Sequence, residues 1–422
     1  MRSPGIRIAL VRSRYQRQIR LRACQAVYDI RLPIASGYLF RTSMTLKTDT
    51  QATAPIAPMK PRLLHPLMGS DVGTLVRVLA RNGFVPIAQL PHVSLAMATA
   101  VLRSPFTLLE RAIVAGRGSD MPPPVFIIGH WRSGTTFLYN FLSRSPEFAY
   151  VSPLATGLPW DFLTLASLLR PFLEKLLPSG RYIDRVKVQP DSPQEDEIAL
   201  ANMQTVSFYH GLYFPKHFRA QFNAGIFFEG CSPEAIETWQ QVATLFFRKL
   251  YLQTGKRPLI KNPVYTARVA MLRSLFPGAK FVHIYRNPYV VFQSMRNFYR
   301  ALFVQLALQP YGDVDIDEVV VQTYPRMLDA LYSDVADLSP NEFIELRFED
   351  FERDPLSHVE KIYAALAIGD FAAERSHFQT YLDAQETYRK NHYRFADEDN
   401  ALVRQHWGRY CERWGYQPPG ES

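Results

Sequence analysis

Cysteine is scarce in this chain. Cys24, Cys231 and Cys411 are the only three in 422 residues. They lie too far apart for a disulfide framework, and no Cys-x-x-Cys pair offers a metal site. Such usage fits a reducing compartment, so the expected location is cytoplasmic, with peripheral membrane contact left open. Long hydrophobic runs are missing too: no stretch of about 18 or more strongly apolar residues occurs. The nearest, VPIAQLPHVSLAMATAVL (85–102), carries no formal charge but holds Pro86, Pro91 and His92. It predicts a buried or peripheral helix rather than a membrane span. The body of the chain also lacks a surplus of one charge. The total is +9, but residues 1–50 hold nine Arg and one Lys against Asp29 and Asp49, which is +8 and leaves +1 for the rest. A basic nucleic-acid-binding face is therefore not expected.

Residues 1–58 are Arg-rich, acid-poor and without sustained periodicity. Three readings stay open there: a targeting segment, a disordered basic arm, or an over-extended start. Globular-looking sequence begins at Met59. The stretch 59–120 reads as an N-terminal helical segment feeding a domain over 121–422. In that domain VFIIG (125–129), FAYVS (148–152), RPLIKN (257–262), KFVHIYR (280–286) and EFIELRF (342–348) are short apolar runs suited to buried strands. Helical patterns near 160–177, 195–208, 233–254, 264–275, 288–305, 317–336 and 355–366 separate them. This alternation predicts an α/β fold, a mostly parallel central sheet flanked by helices on both faces.

The most informative stretch is GHWRSGTT (129–136), between the first apolar run and a helical pattern. It is close to the nucleotide-binding pattern G-x-x-x-x-G-K-[ST], with Gly129, Gly134 and Thr136 in place, but Thr135 stands where the lysine belongs. A Gly-rich turn into a helix aims backbone N–H groups and the helix dipole at one anion. Ser133, Thr135 and Thr136 add hydroxyls, and Arg132 supplies a cation inside the loop itself. Without the lysine, and with no strand ending in an acid suited to magnesium, a ligand with a shorter 5′ chain and no metal is expected. In FIELRFED, the nearest stretch, Arg347 spoils the match.

VFIIGHWRSGTTFLYNFL resembles the 5′-phosphosulfate loop of sulfotransferases that use 3′-phosphoadenosine 5′-phosphosulfate (PAPS), and Arg132 matches the Lys or Arg before their Ser-Gly-Thr-Thr. A second segment, KFVHIYRNPYVVFQSMRNFY (280–299), is similar to that family's 3′-phosphate segment, with Arg286 and Ser294 at its spacing. A third, PLIKNPVYTARVAMLRSLFPGAKFVHIYRNP (258–288), resembles the Lys-Ser-Pro segment of the carbohydrate- and protein-type branch, with Asn262 in place of Ser. The resemblance covers roughly 125–350. It implies PAPS as co-substrate, held by Arg132, Ser133, Gly134, Thr135, Thr136, Phe137, Arg286 and Ser294.

It also implies in-line displacement at sulfur by an acceptor hydroxyl or amine, releasing adenosine 3′,5′-bisphosphate. Arg132 and Lys261 are the candidates for stabilising the leaving oxygen. The general base is sought in DSPQEDEIALAN (191–202), with Glu195 ahead of Glu197 and Asp196, because clustered buried carboxylates shift upward in pKa. His130 is a rival base, but packing is the stronger reading of it. Trp131 and Phe137 flank the loop and read as packing residues that could also stack on adenine. TYRKNHYRF (387–395) is a basic aromatic cluster that could fold over the 3′-phosphate. The apolar stretch 160–178 and SFYHGLYF (207–214) are either core or the lining of an acceptor site or membrane-facing lip. The acceptor itself stays open among a small molecule, a glycan and a lipid, and so does the oligomeric state. Two other readings remain: an ATP-dependent kinase or NTPase with a variant loop, and a catalytically inactive nucleotide-binding scaffold.

Overall fold

The computed structural model describes residues 64–117, 120–172, 192–384 and 395–419. These fall within the compact unit Lys60–Ser422. The expectation for residues 1–58 lies outside the described residues. So do most of the 387–395 cluster and residues 173–178 of the apolar stretch.

All five apolar runs are strands: β1 (Val125–Ile128), β2 (Phe148–Ala149), β3 (Arg257–Lys261), β4 (Lys280–Tyr285) and β5 (Phe343–Arg347). They form one sheet in the order β2-β3-β1-β4-β5, with every pairing parallel. β1 is central, with Ile127 beside Lys261 of β3 and Ile128 beside His283 of β4. Strands that cross the middle of such a sheet are covered on both faces, which is why they read as unbroken apolar runs. Alternation divides the sheet's side chains between two cores. Phe126 and Ile128 point into one, with Ile260 and Phe281. Val125 and Ile127 point into the other, with Leu259, Val282 and Ile284.

The described residues before β1 form α1 (Val72–Asn82), capped by the Asp71 carboxylate on Thr74 N at 2.9 Å, and α2 (Leu90–Ala115). Of the 85–102 stretch, residues 90–102 belong to a peripheral helix that runs on to Ala115, and Ile87–Gln89 form a separate short turn of helix. After β1 comes α3 (Thr135–Leu142), which buries Leu138, Tyr139, Phe141 and Leu142 on the second face of the sheet.

The helix expected over 195–208 is two short ones, α4 (Glu197–Ala201) and a turn of helix at Phe208–Tyr213. The first ends at a C-cap on Asn202. Ser207 caps the second: its hydroxyl accepts from Tyr209 N and donates to Glu197 at 2.7 Å. α5 (Pro233–Thr254) runs from a Ser232 N-cap to left-handed Gly255, as its start and stop residues predict. The pattern at 264–275 splits at Arg268, whose guanidinium donates to the Ile226 and Gly225 carbonyls. α6 (Pro288–Leu306), α7 (Ile316–Asp334), α8 (Pro355–Leu366) and α9 (Asp397–Trp414) complete the layers. Of 160–177, the described residues show helix at Leu165–Leu168 and again at 170–172.

Candidate active site

In an open parallel sheet, ligands bind at the carboxyl ends of the strands, where neighbouring connections diverge. Three candidate cations meet that edge. Arg132 lies in the loop after β1, Lys261 ends β3, and Arg286 follows β4.

The loop is built for a close approach. Gly129 has φ 143°, and a Cβ there would collide with the Ile284 carbonyl. Gly134 has φ 102°, and a Cβ there would overlap the Phe348 ring. Gly134 is also the N-cap of α3, and no side chain caps that helix. Its first N–H groups are therefore left for other partners. Arg132 is left-handed at φ 69°, a backbone that costs a non-glycine residue about 1 kcal/mol or more. Strain of this kind collects at functional loops. Ser133 is buried, and its Oγ has no hydrogen-bond partner among the described residues.

Two groups of side chains form around the loop. In the first, Arg132 Nε donates to Ser294 Oγ at 2.7 Å. Ser294 lies about two turns into α6, counting from Pro288. Arg286 Nη1 reaches the Arg132 carbonyl at 3.5 Å, and the Arg286 guanidinium lies over the Phe348 ring at 4.4 Å. One phenyl ring thus both closes against Gly134 and supports Arg286. In the second group, Lys261 Nζ donates to Thr136 Oγ1 at 3.3 Å and pairs with the Glu195 carboxylate. The Lys261 side chain is 2% exposed and that of Glu195 is 22% exposed, so the acid is the partner that meets solvent.

The other two acids of the cluster sit differently. Asp196 is fully buried and accepts from Asn262 Nδ2 at 3.0 Å and from the Tyr265 hydroxyl. Burial pushes its pKa up to about 8. Glu197 is also fully buried, with its oxygens on Asn262 Nδ2 at 2.8 Å and Ser207 Oγ at 2.7 Å. Burial raises its pKa, against the pull of the nearby Arg268. Both carboxylates hold the base of the Glu195 segment against the end of β3. Sequence reasoning noted Asn262 only as a replacement for Ser and missed Tyr265 and Ser207. Asn262 in the Ser position is explained by its amide, which bridges the two buried acids while its Oδ1 caps Val264 N at 3.0 Å. An Asn before Pro at a strand end signals the cap, but nothing local signals the bridge.

His130 is 3% exposed, donates from Nδ1 to the Trp131 carbonyl at 3.0 Å, and packs on Tyr324. Burial lowers its pKa to about 4. Trp131 is buried against Phe208 at 5.2 Å. Phe137 packs on Phe351 at 5.2 Å and edges Phe348. All three are occupied by packing contacts. The 207–214 run is buried core throughout.

The geometry agrees with comparisons to known proteins. The model of the sulfotransferase family matches residues 123–372. The omega-hydroxy-beta-dihydromenaquinone-9 sulfotransferase Stf3 of Mycobacterium bovis is 30% identical over 353 residues, covering 83% of this chain and 90% of the relative. The Mycobacterium tuberculosis protein of that name matches to the same extent. Among solved structures, sulfotransferase STF9 from Mycobacterium avium superposes with a TM-score of 0.60 at 16% identity, over 78% of this chain and 86% of the other. STF1 from Mycobacterium tuberculosis gives 0.51 at 16% identity, over 80% and 91%. These two likenesses bear on the fold. The family match, the 30% identity and the Gly loop with its cations together establish that the chain belongs to the sulfotransferase family and is a sulfotransferase.

Proposed function

We propose that this sulfotransferase takes PAPS as donor and a hydroxyl on a lipid-like alcohol as acceptor, with Glu195 as general base. The observation that carries the reading is the convergence of Lys261 with Thr136 of the loop and the partly exposed Glu195. PAPS supplies an activated sulfuryl group and a bisphosphate leaving group. The residues fit it: a buried Ser133 hydroxyl without a partner, an uncapped helix start, and two glycine positions that leave no room for a side chain.

Ser133, Thr135 and Thr136 hold the 5′ side together with the loop N–H groups. Arg286 and Ser294 hold the 3′-phosphate, a guanidinium and a hydroxyl suited to one phosphate. Arg132 and Lys261 place positive charge where the leaving oxygen gains negative charge. An anion at the loop competes with Glu195 for the Lys261 ammonium. Glu195 is then open to accept the proton of an acceptor hydroxyl, a role that requires hydrogen-bond reach. Asp196 and Glu197 position this segment and do not meet the acceptor.

The acceptor class rests on the relative, whose name specifies an omega-hydroxylated dihydromenaquinone. A lipid substrate favours contact with a membrane surface. Among the described residues no helix is long and apolar enough to cross a membrane. The test is mass spectrometry of products after incubation with PAPS and, separately, a hydroxyl-terminated prenyl lipid and an oligosaccharide. A sulfate ester on the prenyl hydroxyl supports the reading, and sulfation of the oligosaccharide alone overturns it.

A further inference from the structure

The inner face of α2 is unusually polar. Beside Ala96, Ala100 and Val114 it buries Arg103 and Thr107, which both bind Asp161, and Glu110, which pairs with Lys249 at 2.5 Å. Glu110 also accepts from Leu163 N and Thr164 N, both at 3.0 Å. The opposite face carries Pro91, Ala98, Val101, Leu102, Leu108 and Leu109, all exposed. At 100° per residue these six fall on one side of the helix, opposite Arg103, Thr107 and Glu110. Leu102 is 75% exposed and Leu109 53%. The turn that leads into α2 adds Phe84 at 78% and Ile87 at 77%. Buried ion pairs cost desolvation, and an apolar stripe in water gains nothing in return. A helix ordered this way is suited to an apolar medium outside it.

The charges of the same segment select the medium. Across residues 72–117 every exposed charged side chain is an arginine: Arg77, Arg81, Arg111 and Arg117. Arg111 is partly neutralised by Asp71 at 2.7 Å. At 26 residues α2 is about 39 Å long. An apolar helical face with cationic flanks lies in the interface of a bilayer, at the boundary of headgroups and acyl chains.

We infer that the outer face of α2, with Phe84 and Ile87, is a membrane-docking surface that seats this enzyme on an anionic phospholipid bilayer. The inference gives the lipid-acceptor reading a physical location and rests on that reading only for its biological sense. Its test needs no turnover, so the two can fail separately.

The experiment is flotation of the full chain with vesicles of phosphatidylcholine alone and of phosphatidylcholine with phosphatidylglycerol. The wild-type chain is expected to float with both and more strongly with the anionic vesicles. The double variant Leu102→Gln, Leu109→Gln changes no charge and removes only exposed apolar surface. It should weaken vesicle partition at least about tenfold, a loss within reach of two leucine side chains. Its thermal melting and its binding of adenosine 3′,5′-bisphosphate should match wild type, which shows that the fold is intact. Wild-type chain that stays at the bottom of the gradient overturns the proposal. So does a double variant that floats as well as wild type. A wild-type dimer in sedimentation that the same substitutions dissociate, with no flotation, would assign the face to a second copy instead.

Discussion

Arg132 and Ser294 stand 162 residues apart in sequence, and the guanidinium Nε of one donates to the hydroxyl of the other at 2.7 Å. The bond ties the anion loop after β1 to the helix after β4, so the two candidate anion sites share a physical link. Ser294→Ala removes the hydroxyl that accepts from Arg132 Nε and one proposed donor to the 3′-phosphate. Hydrogen bonds to charged groups contribute about 1.5–3 kcal/mol. Affinity for adenosine 3′,5′-bisphosphate should fall about tenfold or more by calorimetry, with thermal melting nearly unchanged. Unchanged affinity would contradict the role given to Ser294.

Glu195 and Glu197 are two residues apart, yet their surroundings separate their functions. Glu195→Gln should lower kcat by about 10²- to 10⁴-fold, the usual range for a general base, with little change in donor affinity. Glu197→Gln should act on stability, because its two oxygens are committed to Asn262 and Ser207. Steady-state kinetics and thermal melts of both variants check this. Equal losses of kcat with equal stability would remove the distinction.

Asp196 gives a pH dependence of known sign. Its ordinary pKa is 3.8, and burial lifts it to about 8 in the folded chain. The folded state then keeps a proton that the unfolded chain releases between those values. The stability this group contributes is full below about pH 3.8 and is lost as pH rises through about 8. Asp196→Asn abolishes the titration. Relative to wild type, the variant should therefore gain stability between about pH 5 and about pH 8, measured by denaturant melts at both. A difference that does not change with pH would contradict the assignment.

Much of this structure is legible in the sequence, for reasons that differ by element. The five strands can be read because a parallel sheet covered on both faces needs unbroken apolar runs such as VFII and KFVHIY. α5 can be read because Ser232, Pro233 and Gly255 mark its ends. The tie between Ser207 and Glu197 cannot, because it is a contact between two segments separated by the break after Ala201. Phe348 is equally silent: its place against Gly134 and under Arg286 arises from the fold alone. In α2 Val101, Leu102, Leu108 and Leu109 turn outward, and Arg103 and Glu110 turn inward to Asp161 and Lys249. Local periodicity gives the two faces of a helix but not which one the protein covers.

In the proposed complex one donor is gripped at both ends, its 5′ side by the loop at 129–136 and its 3′-phosphate by Arg286 and Ser294. The most direct test is calorimetric titration of wild type and Arg286→Ala with adenosine 3′,5′-bisphosphate and with adenosine 5′-phosphate. In wild type the 3′-phosphate should strengthen binding at least about tenfold, as a charge-assisted contact would. In Arg286→Ala that advantage should largely disappear while binding of the 5′-phosphate is kept. An advantage that survives the substitution intact, or one that is absent in wild type, would contradict the account.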